Sequence, residues 1–199
     1  MHFLFLPFTR DIFRCRILLT KRNETKRNGV STLHFQVAQL TVKPFSSADR
    51  DAMVELLCDD IVKKYYMVPD FADRAEAEAR FDRIRMLSAQ EERYVAGIFL
   101  EGKCIGILNA PEIREDSIEL GYAILPAHHN RGYCTAVLKR AIGYLFERGF
   151  RQVLTGAFEE NLASLRVMVK SGMKKIDLTE EIEYRGKTHH CVYYAATRP

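Results

Sequence analysis

No window of the 199-residue chain approaches the ~20 consecutive apolar positions that a membrane-spanning helix needs. The five cysteines (Cys15, Cys58, Cys104, Cys134, Cys191) are odd in number and form neither a C-x-x-C pair nor a zinc-ligand spacing. Reduced thiols in a cytoplasmic protein are therefore expected, not a disulfide framework. The His128/His129 and His189/His190 pairs are adjacent, and neighbours on a strand point to opposite faces, so no metal is expected. The sequence has no G-x-G-x-x-G fingerprint and no succession of βαβ units, which argues against a dinucleotide fold. Internal repeats and low-complexity tracts are also missing.

A sustained basic surplus is missing too. The net charge is +4, but residues 1–36 hold seven Lys/Arg against two Asp/Glu, which leaves 23 against 24 in the remainder. A nearly neutral body argues against a nucleic-acid surface, which needs clustered cations to displace counterions. The opening MHFLFLPF is apolar, but its charges follow it, the reverse of a signal peptide. Residues 1–36 are read as an extension, disordered or belonging to a start codon placed too early, with no stable membrane association expected. Residues 37–199 are long enough for one domain with its own core, burying roughly 70% of the unfolded surface.

From Leu33 onward the sequence is periodic. Phe35–Phe45 reads as one strand, followed by a helix capped by Ser46 or Ser47, with Met53, Leu56, Leu57 and Ile61 on one apolar face. A second helix is expected over about Arg74–Met86. Strands are expected at Tyr94–Leu100, Lys103–Ala110 and Ser117–Leu125, the first two joined at Glu101-Gly102. A helix from about Gly132 carries Leu138, Ile142, Leu145 and Phe146 on one face and ends at Gly149. A strand over Gln152–Phe158, a helix capped by Asn161, and two strands around Arg185-Gly186 complete the chain. The fold class is α+β, layered α/β/α, with a mixed, mostly antiparallel central sheet flanked by helices.

The chemistry concentrates in Glu119–Ala136, where a strand ends at Pro126, a polar loop follows, and Gly132 opens a helix. The first amides of a helix lack intrahelical acceptors and sit at the positive end of its dipole. Such a corner suits an anion, and a glycine lets backbone come close to a phosphate. Cys134, Thr135 and Ala136 keep the first turn small, and Arg131 adds a positive charge.

Over about Leu40–Ala195 the chain resembles the GNAT acetyltransferase family, in the branch that includes ribosomal-protein N-terminal acetyltransferases. The strand-to-helix loop His129-Asn130-Arg131-Gly132-Tyr133-Cys134 is similar to the family's Gln/Arg-x-x-Gly-x-Gly/Ala. Glu119-Leu120-Gly121-Tyr122 resembles its E-I/L-G-Y strand. Asn161-x-x-Ser164-x-x-Val167-x-x-Lys170-x-Gly172-Met173 resembles its N-x-x-S-x-x-V-x-x-K-x-G-F helix. Two departures are His129 for Gln/Arg and Cys134 for Gly/Ala. A thiol at a helix head can have a lowered pKa and suggests an acyl-cysteine route. Cys134 also substitutes for Gly/Ala on size alone, and direct transfer is expected.

The resemblance implies acetyl-CoA as co-substrate and a primary amine as acceptor: a peptide N-terminus, a polyamine or a small-molecule amine. Its diphosphate is expected on amides from His129, Asn130, Arg131, Gly132, Tyr133, Cys134 and Thr135, with Ala136 closing the turn. The pantetheine arm is expected beside Ala123, Ile124 and Leu125, with oxyanion donors around Ile124 or Leu125 and Asn161 near the thioester. Glu119 is the candidate base. Met168 stands where one branch of the family places an acidic tyrosine, and Ser164 is the remaining candidate acid on that helix. Lys63–Met86 corresponds to the variable acceptor wall. A non-catalytic acyl-CoA sensor is the alternative to an enzyme, and a monomer or homodimer is expected.

Overall fold

A computed structural model describes residues 32–91 and 93–199. The expectation for the N-terminal extension lies almost wholly outside the described residues. The chain forms β1 (Phe35–Val37), β2 (Leu40–Lys43), α1 (Arg50–Cys58), α2 (Asp60–Lys63), α3 (Arg74–Ser88), β3 (Val95–Leu100), β4 (Lys103–Ile113) and β5 (Ser117–Ile124). It continues with α4 (Tyr133–Glu147), β6 (Gln152–Phe158), α5 (Leu162–Lys170), β7 (Lys174–Tyr184) and β8 (Lys187–Thr197).

Two elements at the start of the described chain differ from the sequence expectation. The strand expected over Phe35–Phe45 is a hairpin, because Ala38 adopts φ 50° and turns the chain so that Val37 pairs with Leu40. The first helix stops at Cys58 because the Asp59 carboxylate accepts from the amides of Ile61 and Val62 and starts α2 instead. Met53, Leu56 and Leu57 remain buried, but Ile61, past the break, is 59% exposed.

The sheet runs β1-β2-β3-β4-β5-β6-β8-β7, antiparallel except between β5 and β6. One face packs on α4 and α5 through Leu138, Ala141, Leu145 and Met168. The other packs on α1 and α3 through Met53, Leu57, Phe81 and Ile84. Full burial of each such Leu or Ile contributes about 1.5–3 kcal/mol. The hairpins at Glu101-Gly102 and Arg185-Gly186 form as expected, all four residues having positive φ.

The functional consequence lies in the middle of the sheet. β5 and β6 pair only at Ser117–Glu119 with Gln152–Leu154. Beyond that point β5 stays with β4 as far as Ile124, and β6 stays with β8 as far as Phe158, so the two strands part. β4 carries a bulge between Asn109 and Glu112, opposite Glu119–Gly121, and Pro111 within it has no amide to donate. A bulge increases local twist, and this one sits where β5 leaves β6.

Candidate active site

A cavity of about 520 Å³ occupies the gap between β5 and β6. It reaches from Tyr65, Tyr66 and Arg80 on one face of the sheet to Asn130–Thr135 and α5 on the other.

The head of α4 forms one end. Pro126–His128 make a 3-10 turn, Asn130 has φ 59°, and Gly132 is the N-cap at φ 78° without any side-chain cap. The first helical bond is from the Ala136 amide to Gly132 O at 3.0 Å, so the Tyr133, Cys134 and Thr135 amides precede the ladder. A Cβ added at Gly132 would meet nothing within 4 Å, so the backbone borders open space. No acidic residue occupies the first turn. His128 Nδ1 at the same corner is buried without a hydrogen-bond partner among the described residues. These features fit a phosphate-bearing group.

Two of the expected donors are committed elsewhere. The His129 amide donates to Pro126 O at 3.0 Å, inside the 3-10 turn, and His129 Nε2 bonds to Ile124 O at 2.8 Å. A carbonyl only accepts, so Nε2 carries the proton. The Leu125 amide donates to Ile105 O at 2.9 Å, across β4. Strand alternation then turns the main-chain groups of Ala123 and Leu125 toward β4 and those of Tyr122 and Ile124 toward the gap. Leu125 and Ala136 do not line the cavity, whereas Ala123, Ile124 and all of His129–Thr135 do.

α5 forms the opposite wall. Asn161 Oδ1 accepts from the Ser164 amide at 3.1 Å, so the side chain is an N-cap as well as a cavity residue. The Ser164 hydroxyl shares a hydrogen bond of 2.9 Å with Tyr122 Oη, a partner the sequence did not reveal. Ser171 Oγ donates to Thr135 O at 3.4 Å, which sets the end of α5 against the first turn of α4. Met168 is fully buried in the core.

Glu119 lies on the other face of β5 and is partly buried. It lines both the main cavity and a smaller one of about 110 Å³ shared with Glu112, Glu180 and Tyr193. Among the described residues no side chain bonds its carboxylate: Arg114 makes a two-pronged contact with Glu112 instead, and Tyr193 donates to Glu180. Burial, then the charges of Glu112 and Glu180, push its pKa up to about 7, against a smaller pull from Arg114.

Burial also pushes the Cys134 thiol up to about 12. That favours the expected direct transfer over an acyl-cysteine route.

The segment expected to form the acceptor wall is fixed by hydrogen bonds from distant residues. Tyr66 donates to Asn109 Oδ1 at 2.8 Å. Tyr184 donates to Lys63 O at 2.6 Å, and Arg185 pairs with Asp70 at 2.6 Å, so the β7–β8 turn holds the Lys63–Asp70 segment in place. His189 contacts Glu160, and His190 contacts Glu181, each at 2.6 Å. No group of three or more His, Cys, Asp or Glu positioned to hold a metal occurs among the described residues. None of the described helices is long and apolar enough to cross a membrane.

The model of the acetyltransferase (GNAT) domain matches residues 39–174. The uncharacterized N-acetyltransferase YoaA of Bacillus subtilis is 22% identical over 167 residues, covering 81% of this chain and 94% of that protein. In three dimensions the chain is similar to a GNAT-family acetyltransferase from Bacillus anthracis, with TM-score 0.72, 20% identity, and coverage of 83% of this chain and 98% of that one. It is similar also to RimL, a ribosomal L7/L12 alpha-N-protein acetyltransferase solved in complex with coenzyme A, with TM-score 0.73, 17% identity, and coverage of 82% and 97%.

Proposed function

Because the chain belongs to the GNAT acetyltransferase family, and so is an acyl-CoA-dependent N-acetyltransferase, we propose that it passes the acetyl group of acetyl-CoA directly to a primary amine, with Glu119 as base and Ser164 at the leaving group. The carrying observation is that one cavity joins the uncapped head of α4 to the unpaired edge of β5 and to an unbonded carboxylate.

The amides of Tyr133, Cys134 and Thr135 hold the diphosphate at the positive end of α4. Arg166 and Lys170, one turn apart on α5, line the same corner. Like charges at i,i+4 repel by a few tenths of a kcal/mol, and a polyphosphate between them offsets that. The Tyr122 main-chain groups pair with the pantetheine amides as an added strand would. The Ile124 amide is the available oxyanion donor, since that of Leu125 is taken.

On the opposite face, Glu119 takes the ammonium proton. An alkyl amine with pKa near ~10 is no nucleophile until deprotonated, and a base with pKa near neutrality is well matched to that task. Tyr65, Tyr66 and Asn109 flank the approach to it. A peptide N-terminus is the first acceptor to try, because RimL is named for that chemistry. Free thiols at Cys58, Cys104, Cys134 and Cys191 support a cytoplasmic setting.

The test is release of free thiol from acetyl-CoA against a panel of peptide N-termini, polyamines and small amines. Amine-dependent release is expected. Release without amine, or none with any amine, would instead support the sensor.

A further inference from the structure

Resting on that reading, we infer that Tyr122 supplies the proton that neutralises the departing coenzyme A thiolate, with Ser164 as the relay between phenol and sulfur. The departing sulfur needs a proton, and of the two hydroxyls the phenol is by far the stronger acid. A phenol, even one whose pKa burial has raised, is a stronger acid than an aliphatic hydroxyl. A serine acting alone would give up its proton steeply uphill. A serine bonded to a phenol passes one proton on as it takes another.

The geometry provides that chain. Tyr122 Oη lies 2.9 Å from Ser164 Oγ, and both residues line the cavity. Tyr122 Oη has no other side-chain partner among the described residues, its second contact being Ser164 O at 3.4 Å. The pair bridges the gap from the unpaired edge of β5 to the first turn of α5, where Asn161 fixes the Ser164 backbone. The phenol is protonated at neutral pH, and although burial raises its pKa it remains a far stronger acid than the serine hydroxyl.

The step balances. The C–S bond of the tetrahedral adduct breaks and its electron pair goes to sulfur. Sulfur takes the Ser164 hydroxyl proton as Ser164 takes the Tyr122 proton. The ammonium gives one proton to Glu119 before attack and the nitrogen of the adduct sheds a second; one of the two is made good on the phenolate through solvent and the other is released. The net products are the amide, the free thiol and one proton.

The experiment compares wild type, Y122F, S164A and the double variant, measuring kcat and KM for acetyl-CoA and coenzyme A affinity by calorimetry. General acid catalysis contributes about 10²–10⁴-fold. Y122F is expected to lose about 10²-fold in kcat while KM and coenzyme A affinity stay within about threefold. S164A should lose a similar factor, and the double variant no more than the worse single, because residues acting as one unit are not additive. A tyrosine that merely packs α5 would change affinity instead. A Y122F kcat within about threefold of wild type, or losses that multiply in the double variant, overturns the inference. If wild type itself shows no amine-dependent thiol release, the acetyltransfer reading has failed and the relay falls with it.

Discussion

Glu119→Gln separates the stability of the fold from its chemistry. The carboxyl ionises near 7 in the folded protein against an ordinary value of 4.5. At about 1.36 kcal/mol per unit that is roughly 3 kcal/mol, or about 2–3 kcal/mol after allowing for partial solvent contact. The sign follows from proton counts. Between pH 4.5 and 7 the folded state holds a proton that the unfolded state has released, so stability falls as pH rises and the full loss is present above about pH 7. Glutamine cannot ionise and escapes that loss. At pH 8 the variant should be more stable than wild type by about 2–3 kcal/mol, or roughly 5–10 °C in Tm for a domain of this length. Near pH 4 the difference should vanish. Turnover at pH 8 should fall about 10²–10⁴-fold. Urea titrations at both pH values and the thiol-release assay check the two halves. A variant no more stable at pH 8, or equally stabilised at both pH values, would show that the carboxyl is not held above its ordinary range. Activity within about threefold of wild type would show that it is not the base.

Gly132→Val should weaken coenzyme A binding at least about tenfold by calorimetry, because the new side chain projects where backbone meets the diphosphate. A positive-φ Val should also cost about 1–2 kcal/mol of stability, read by urea titration. Removing the charge of Glu112, directly across the ladder from Glu119, should lower the acidic limb of kcat/KM by about half to one unit. Arg114→Gln should raise it by a similar amount; both follow from ~1 kcal/mol for near contacts in water. Tyr184→Phe removes the donor to Lys63 O. It should cost about 1 kcal/mol in unfolding experiments and raise KM for the amine more than KM for acetyl-CoA.

The parts of the site legible in the sequence are those set by local chemistry. Gly132 announced a helix start, Asn161 an N-cap, and the Glu101-Gly102 and Arg185-Gly186 pairs their turns, because each signal lies within a few residues of its effect. Local rules failed where a residue broke its own preference or a partner came from afar. Ala38 takes a positive φ that alanine usually avoids, so the β1–β2 hairpin read as one strand. Asp59 capped a helix in the middle of an apolar period. β4 runs on through Pro111 because a bulge accommodates the missing donor, so the strand appeared to end too early. Glu119 was visible as a carboxylate, but its raised pKa comes from burial and from the charges of Glu112 and Glu180, the last brought near by β7. The Tyr122–Ser164 bond joins residues 42 apart and has no sequence signature. The committed amides of His129 and Leu125 were hidden for the same reason, since motif spacing identifies a loop but not which of its donors are already used.

The account stands or falls on where coenzyme A sits. A crystal structure of the complex should show the diphosphate on the Tyr133–Thr135 amides and the pantetheine arm along the open edge of β5, beside Tyr122 and Ile124. Ligand bound at any other surface, with the gap between β5 and β6 left unfilled, would contradict it.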